Sequence, residues 1–89
     1  MQTREIRIRN RLGLHARASV KIVKLASRFR CRVSLDVEGR RANARNILAV
    51  MMLAAGKGAK VTLEIEGPDE TDAMDAIVAL IDGYFGEGQ

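Results

Sequence analysis

Apolar and polar residues alternate cleanly in two stretches of this chain. Lys60 to Glu66 sets Val61, Leu63 and Ile65 on one side, and Arg32 to Val37 does the same with Val33, Leu35 and Val37. A period of two belongs to a strand buried on one face. Glu5 to Arg9, with Ile6 and Ile8 between charges, predicts a further strand. Glu38-Gly39 predicts a hairpin turn into a short polar strand near Arg40 to Ala44.

Elsewhere the period lengthens. From Ala16 to Phe29, the residues Ala18, Ile22, Leu25, Ala26 and Phe29 share one helical stripe. Gly67-Pro68 breaks the last strand, and Ala73, Met74, Ile77, Leu80, Ile81 and Tyr84 then predict a final helix. Asp69 is its expected cap, and Asp69, Glu70 and Asp72 suit its positive N-terminal end. Ile47 to Leu53 fits a buried strand or a short helix by period. Its Ala, Leu and Met content, with Gly56 and Gly58 following, favours the helix.

The resulting order, β-α-β-β-α-β-α, predicts an α+β fold with helices on one face of a four-stranded, mainly antiparallel sheet. The other face is expected to meet water through Glu5, Arg7, Thr62 and Glu64.

Composition narrows the classes. At 89 residues, without repeats, linkers or low-complexity stretches, the chain reads as a single domain, 1–89. Such a domain has little room for a deep cleft, which argues against an autonomous enzyme and places any chemistry near the surface. Phe29, Tyr84 and Phe85 are the only aromatics, so the core must be aliphatic. With Cys31 as the lone cysteine there is no internal disulfide, and a reducing cytoplasm is the expected setting. One Cys and one His do not make a zinc site, and no metal or cofactor is expected. No signal-peptide pattern is evident, and the apolar run Ile47 to Ala55 is too short to span a bilayer, so a soluble protein with no membrane partner is expected.

The candidate chemistry lies in Asn10-Arg11-Leu12-Gly13-Leu14-His15-Ala16-Arg17-Ala18-Ser19. The chain's single histidine falls where a loop enters a helix. A helix start offers unpaired N–H groups and positive potential, which suit a phosphate. Arg17 adds a fork of donors. Positive surroundings disfavour imidazolium, leaving more of the ring neutral and nucleophilic, and would stabilise a phosphoryl group once attached. A lone histidine at this position also serves simply as a cap or a packing residue.

Two further features add weight. Arg17, Lys21, Lys24 and Arg28 form a positive stripe on a predicted helix that has no acidic residue. Like charges at that spacing repel, so the stripe is read as a docking face for an acidic partner. The apolar run Ile47 to Ala55 exceeds what one helix face buries, which predicts an exposed apolar patch.

Gly13-Leu14-His15-Ala16-Arg17-Ala18-Ser19 resembles the active-site segment of the HPr family, the histidine phosphocarriers of the bacterial phosphoenolpyruvate-dependent phosphotransferase system. The similarity continues through Asn43 to Lys60 and Gly67-Pro68-Asp69-Glu70, and so covers essentially the whole chain. The resemblance implies an open-faced β-sandwich and a stoichiometric carrier rather than an enzyme. It implies that His15 accepts phosphate through Nδ1 from phosphorylated enzyme I and passes it to an enzyme IIA domain, with Arg17 stabilising the phosphate. Leu14, Lys24, Ile47, Leu48 and Met51 are the implied partner-binding residues, on a monomer.

Two positions depart from the family pattern. Ala18 stands where proline is usual, and Asn46 where many relatives carry a regulatory serine. Asn has no hydroxyl to accept phosphate, so control by the HPr kinase at this position is expected to be absent. Sugar uptake and nitrogen-related regulation both remain open as the output.

The alternative class is a small basic RNA- or ribosome-binding domain, which the net charge of +4 permits. Against it, no aromatic platform lies on the strands and no GXXG loop is present. A hydrolase built on Ser19 and His15 lacks a carboxylate near in sequence to orient the histidine. A Cys31–His15 pair has no better support, because Cys31 reads as a small buried apolar residue.

Overall fold

The alternating segments pair into one sheet. A computed structural model describes residues 1–89, in the order β1 (Gln2–Arg7), α1 (Ala16–Ala26), β2 (Arg32–Val37), β3 (Arg40–Asn43), α2 (Ile47–Met52), β4 (Lys60–Glu66) and α3 (Glu70–Asp82), with a 3₁₀ turn at Tyr84–Gly86. The strands lie in the order β1-β4-β2-β3, and every neighbouring pair is antiparallel. The register sets Val61 opposite Ile6, Leu63 opposite Leu35 and Ile65 opposite Val33, so the apolar residues share one face. The three helices cover that face, closing one cluster of 23 buried apolar residues. The opposite face carries Glu5, Arg7, Thr62 and Glu64, all exposed or half-exposed. No helix is long and apolar enough to cross a membrane.

Four local expectations need correction. β1 begins at Gln2 rather than Glu5, because the ladder to β4 extends to Gln2 opposite Ile65. α1 stops at Ala26: Arg28 and Phe29 donate their N–H groups to Leu25 and Ala26, three residues back, in a tightened final turn. Asp69 occupies the position before α3, yet its side chain does not cap that helix. Its Oδ2 instead accepts the Arg30 N–H at 2.8 Å, tying the turn after α1 to the start of α3, while Glu70 Oε1 accepts the Gly67 N–H at 3.2 Å.

The fourth correction concerns the C-terminal end. Tyr84 does not continue the α3 stripe. Tyr84 and Phe85 have φ of 59° and 54°, left-handed values that end a right-handed helix and are costly for residues bearing a Cβ. The turn sends Phe85 into the core, where it is 1% exposed, and leaves Tyr84 at the margin. The chain then runs back across the start of α1.

Candidate phosphoryl-transfer site

The loop bearing His15 is fixed from below. Gly13 has φ +65°, and a Cβ there would lie 2.2 Å from the Ala55 carbonyl oxygen, so only glycine fits. The next N–H, that of Leu14, donates to the same carbonyl at 2.8 Å. Asn10 is fully buried and bridges the loop by donating Nδ2–H to the Gly13 carbonyl at 2.8 Å.

This scaffold places His15 as the N-cap of α1, with extended backbone. The N–H groups of Ala16, Arg17 and Ala18 have no backbone carbonyl partner, and the first such bond in the helix region runs from Ser19 to the His15 carbonyl at 2.9 Å. His15 Nδ1 accepts the Arg17 N–H at 3.3 Å. That nitrogen therefore carries a lone pair and faces the positive end of the helix. The proton of the neutral ring then sits on Nε2.

Nε2 meets the Glu87 carboxylate at 2.6 Å. The carboxylate was not foreseen from the sequence, where positive neighbours alone were expected around the ring. Glu87 lies 72 positions from His15 and comes from the returning C-terminal segment. Phe85 anchors that segment in the core, Lys21 Nζ donates to the Phe85 carbonyl, and Asn10 Nδ2 donates to Glu87 Oε1 at 3.1 Å. Partial burial pushes the Glu87 carboxyl up. Hydrogen bonds from His15 and Asn10, with the positive charge of Lys21, outweigh this and hold it below the usual carboxylate value.

The site opens into a surface depression of about 430 Å³ lined by Arg11, Leu12, His15, Arg17, Glu87 and Gln89, among others. Arg17 is exposed and pairs with no carboxylate, leaving its guanidinium free for an anion. No three His, Cys, Asp or Glu side chains gather where they would hold a metal ion.

The remaining sequence-derived candidates divide. Ile47, Leu48 and Met51 are exposed on α2, with Leu48 at 70%, and Met52 at 76% and Leu12 at 60% extend the apolar surface beyond the expected residues. Lys24 is exposed on α1. Leu14 is not a surface residue: it is 4% exposed, drawn into the core by the bond that pins its backbone to Ala55. Lys21 leaves the expected docking stripe because it is spent on the Phe85 carbonyl. Ser19 is fully buried and donates its hydroxyl to the Leu14 carbonyl at 3.1 Å, which removes it as a nucleophile. Cys31 is buried in the core cluster, and burial, followed by the neighbouring Asp69 carboxylate, pushes its thiol up, away from thiolate chemistry. Asn46 caps α2, its Oδ1 accepting the Ala49 N–H at 3.0 Å.

Comparison with known proteins matches this arrangement to one family. Residues 2–83 match the family described as the PTS HPr component phosphorylation site. The chain belongs to the HPr family. It is 54% identical over 89 residues to the phosphocarrier protein HPr of Cupriavidus necator, covering 100% of both chains. Among solved structures, an HPr from Thermoanaerobacter tengcongensis superposes with a TM-score of 0.94 at 38% identity, covering 98% of each chain. A structure described as an HPr dimer from the same organism superposes with a TM-score of 0.78 at 38% identity, covering 98% of this chain and 100% of that one. Family membership makes the protein an HPr phosphocarrier of the phosphotransferase system with an open-faced α+β sandwich, and it sets aside the RNA-binding alternative.

Proposed function

We propose that this chain is a single-domain, monomeric cytoplasmic carrier that takes a phosphoryl group onto Nδ1 of His15 from phosphorylated enzyme I and delivers it to an enzyme IIA domain. The observation that carries the reading is the division of labour on the ring. Nδ1 holds its lone pair at the start of α1, and Nε2 is committed to Glu87.

In the transfer, the Nδ1 lone pair attacks phosphorus, and the bond from phosphorus to the donor's leaving atom breaks with its pair departing on that atom. The phosphoryl oxygens then lie where the first N–H groups of α1 and the Arg17 guanidinium compensate their charge. Phosphoryl transfer asks a protein chiefly for positioning and charge stabilisation, which a shallow site supplies without a deep cleft. Leu12, Ile47, Leu48, Met51 and Met52 give a partner protein apolar surface, with Lys24 as a charge at its side. The output is sugar uptake or nitrogen-related regulation.

The test supplies phosphoenolpyruvate and enzyme I and follows intact mass. One phosphoryl group, acid-labile and base-stable, is expected on the wild type and none on His15→Ala. Stable attachment to any other side chain overturns the reading.

A further inference from the structure

Arg11 is a free cation in a neighbourhood where most charges are spent. Arg9, two positions earlier, pairs with Asp82 at 3.4 Å, and Lys21 donates to the Phe85 carbonyl. Arg11 is exposed, joins no ion pair, and lines the depression that opens on His15, together with Arg17. It lies outside the segment Gly13 to Ser19 that resembles the HPr active site, so the resemblance gives it no role. Its backbone is nonetheless fixed. Arg11 and Leu12 form the corners of a turn closed by the Gly13 N–H, which donates to the Asn10 carbonyl at 3.2 Å. The buried Asn10 side chain grips the Gly13 carbonyl as well. A cation mounted on such a turn gives up less freedom on binding an anion than one on a mobile loop.

Resting on the carrier reading above, we propose that Arg11 is a second phosphate-holding residue, gripping the phosphoryl group on His15 from the loop as Arg17 does from α1. The charges support the assignment. A phosphoryl group at neutral pH carries about two negative charges on its terminal oxygens. The start of α1 offers about half a positive charge, and the Arg17 guanidinium adds a single one. That sum falls short, and Glu87 puts a further negative charge into the depression. Arg11 supplies the missing cation, with a planar fork of N–H donors suited to phosphate oxygens. It gives and takes no proton, so the bonds made and broken in the transfer are unchanged.

An exposed arginine beside a docking surface also serves simply to attract a partner protein. The two roles differ thermodynamically. A residue that only attracts the partner changes forward and reverse transfer together and leaves the equilibrium between the free proteins where it was. A residue that touches the phosphoryl group stabilises the loaded carrier alone, and so moves that equilibrium. The placement favours the second role, because Arg11 lines the same hollow as the His15 ring rather than standing among the exposed apolar residues of α2.

The test lets phosphorylated enzyme I exchange its phosphoryl group with full-length carrier at low salt. Intact mass then reads the loaded and free forms of both proteins once they are constant. Arg11→Gln is expected to lower the equilibrium constant for loading about fivefold, an effect that shrinks as salt is added. Arg11→Lys keeps the charge without the fork and is expected to fall between Arg11→Gln and the wild type. Arg4→Gln removes an equal charge from the exposed β1 edge and is expected to leave the equilibrium unmoved. An unmoved equilibrium in Arg11→Gln, even with transfer slowed in both directions, is the signature of attraction alone and overturns the role. An equal shift in Arg4→Gln overturns it too. Either result leaves the carrier reading standing. If the wild type acquires no phosphoryl group on His15 from enzyme I, the carrier reading falls and this proposal falls with it.

Discussion

Leu14 donates its backbone N–H to the Ala55 carbonyl at 2.8 Å, and this one bond ties the loop bearing His15 to the segment that leaves α2. The His15 ring and the exposed apolar surface of α2 are thereby held in a fixed relation, since Ala55 lies three residues beyond the helix that exposes Leu48 and Met52. Gly13 makes the approach possible.

Gly13→Ala should therefore damage both stability and transfer. The added Cβ meets the Ala55 oxygen at 2.2 Å, and φ is +65°. A loss of about 2 kcal/mol or more is expected, read from the midpoint of urea unfolding. An unchanged midpoint would mean the loop is not fixed as described.

Arg17→Ala should separate function from fold. The side chain is exposed and unpaired, so stability should stay within about 0.5 kcal/mol of the wild type. Phosphoryl acceptance from enzyme I should slow on the order of a hundredfold, as when one fixed donor to a developing charge is removed. Rapid-quench measurement of the acceptance rate checks this.

Asn46 gives a contrast between two small substitutions. Its Oδ1 caps α2 through the Ala49 N–H, so Asn46→Ala should cost about 1 kcal/mol. Asn46→Ser retains a capping oxygen and should lie within a few tenths of the wild type. Thermal unfolding of the three proteins side by side settles the order. A serine-to-asparagine exchange at this position thus removes the hydroxyl and preserves the cap.

Acid should weaken the fold through Glu70. The Gly67 N–H, followed by the Met1 amino group at 3.2 Å, holds its carboxyl below the ordinary value of 4.5. A carboxylate lowered in the folded state stabilises fully above the unfolded value and loses that contribution as pH falls through the folded one. Unfolding temperature should thus decline as pH drops below about 4.5. Glu70→Gln should show a lower plateau at neutral pH and a shallower acid decline. Parallel curves for the two proteins would count against the assignment.

The sheet was readable because its strands are paired and buried on one side only, so Val33, Leu35, Val61, Leu63 and Ile65 repeat strictly by two. The exposed α2 patch was readable because a short helix has no means of burying nine consecutive apolar residues from Ile47 to Ala55. What escaped was set by contacts distant in sequence. Glu87 reaches His15 only after a reversal at Tyr84 and Phe85, and no local pattern encodes which of two adjacent aromatics turns inward. The trace available in the sequence was a lone acid among glycines, Gly83, Gly86 and Gly88, just past the last helical stripe. Leu14 and Lys21 were misplaced for a related reason. Leu14 was placed at the surface by the family resemblance and Lys21 by its place in the basic stripe, yet each is drawn inward by a backbone carbonyl from another part of the chain.

The sheet has two rims, and both are dressed with ionic side chains. β1 exposes Arg4, Glu5 and Arg7, while β3 is only four residues long and exposes Arg40 and Arg41. Short or highly charged rims make poor templates for another strand. Such rims allow the protein to be crowded without ladder-like aggregation.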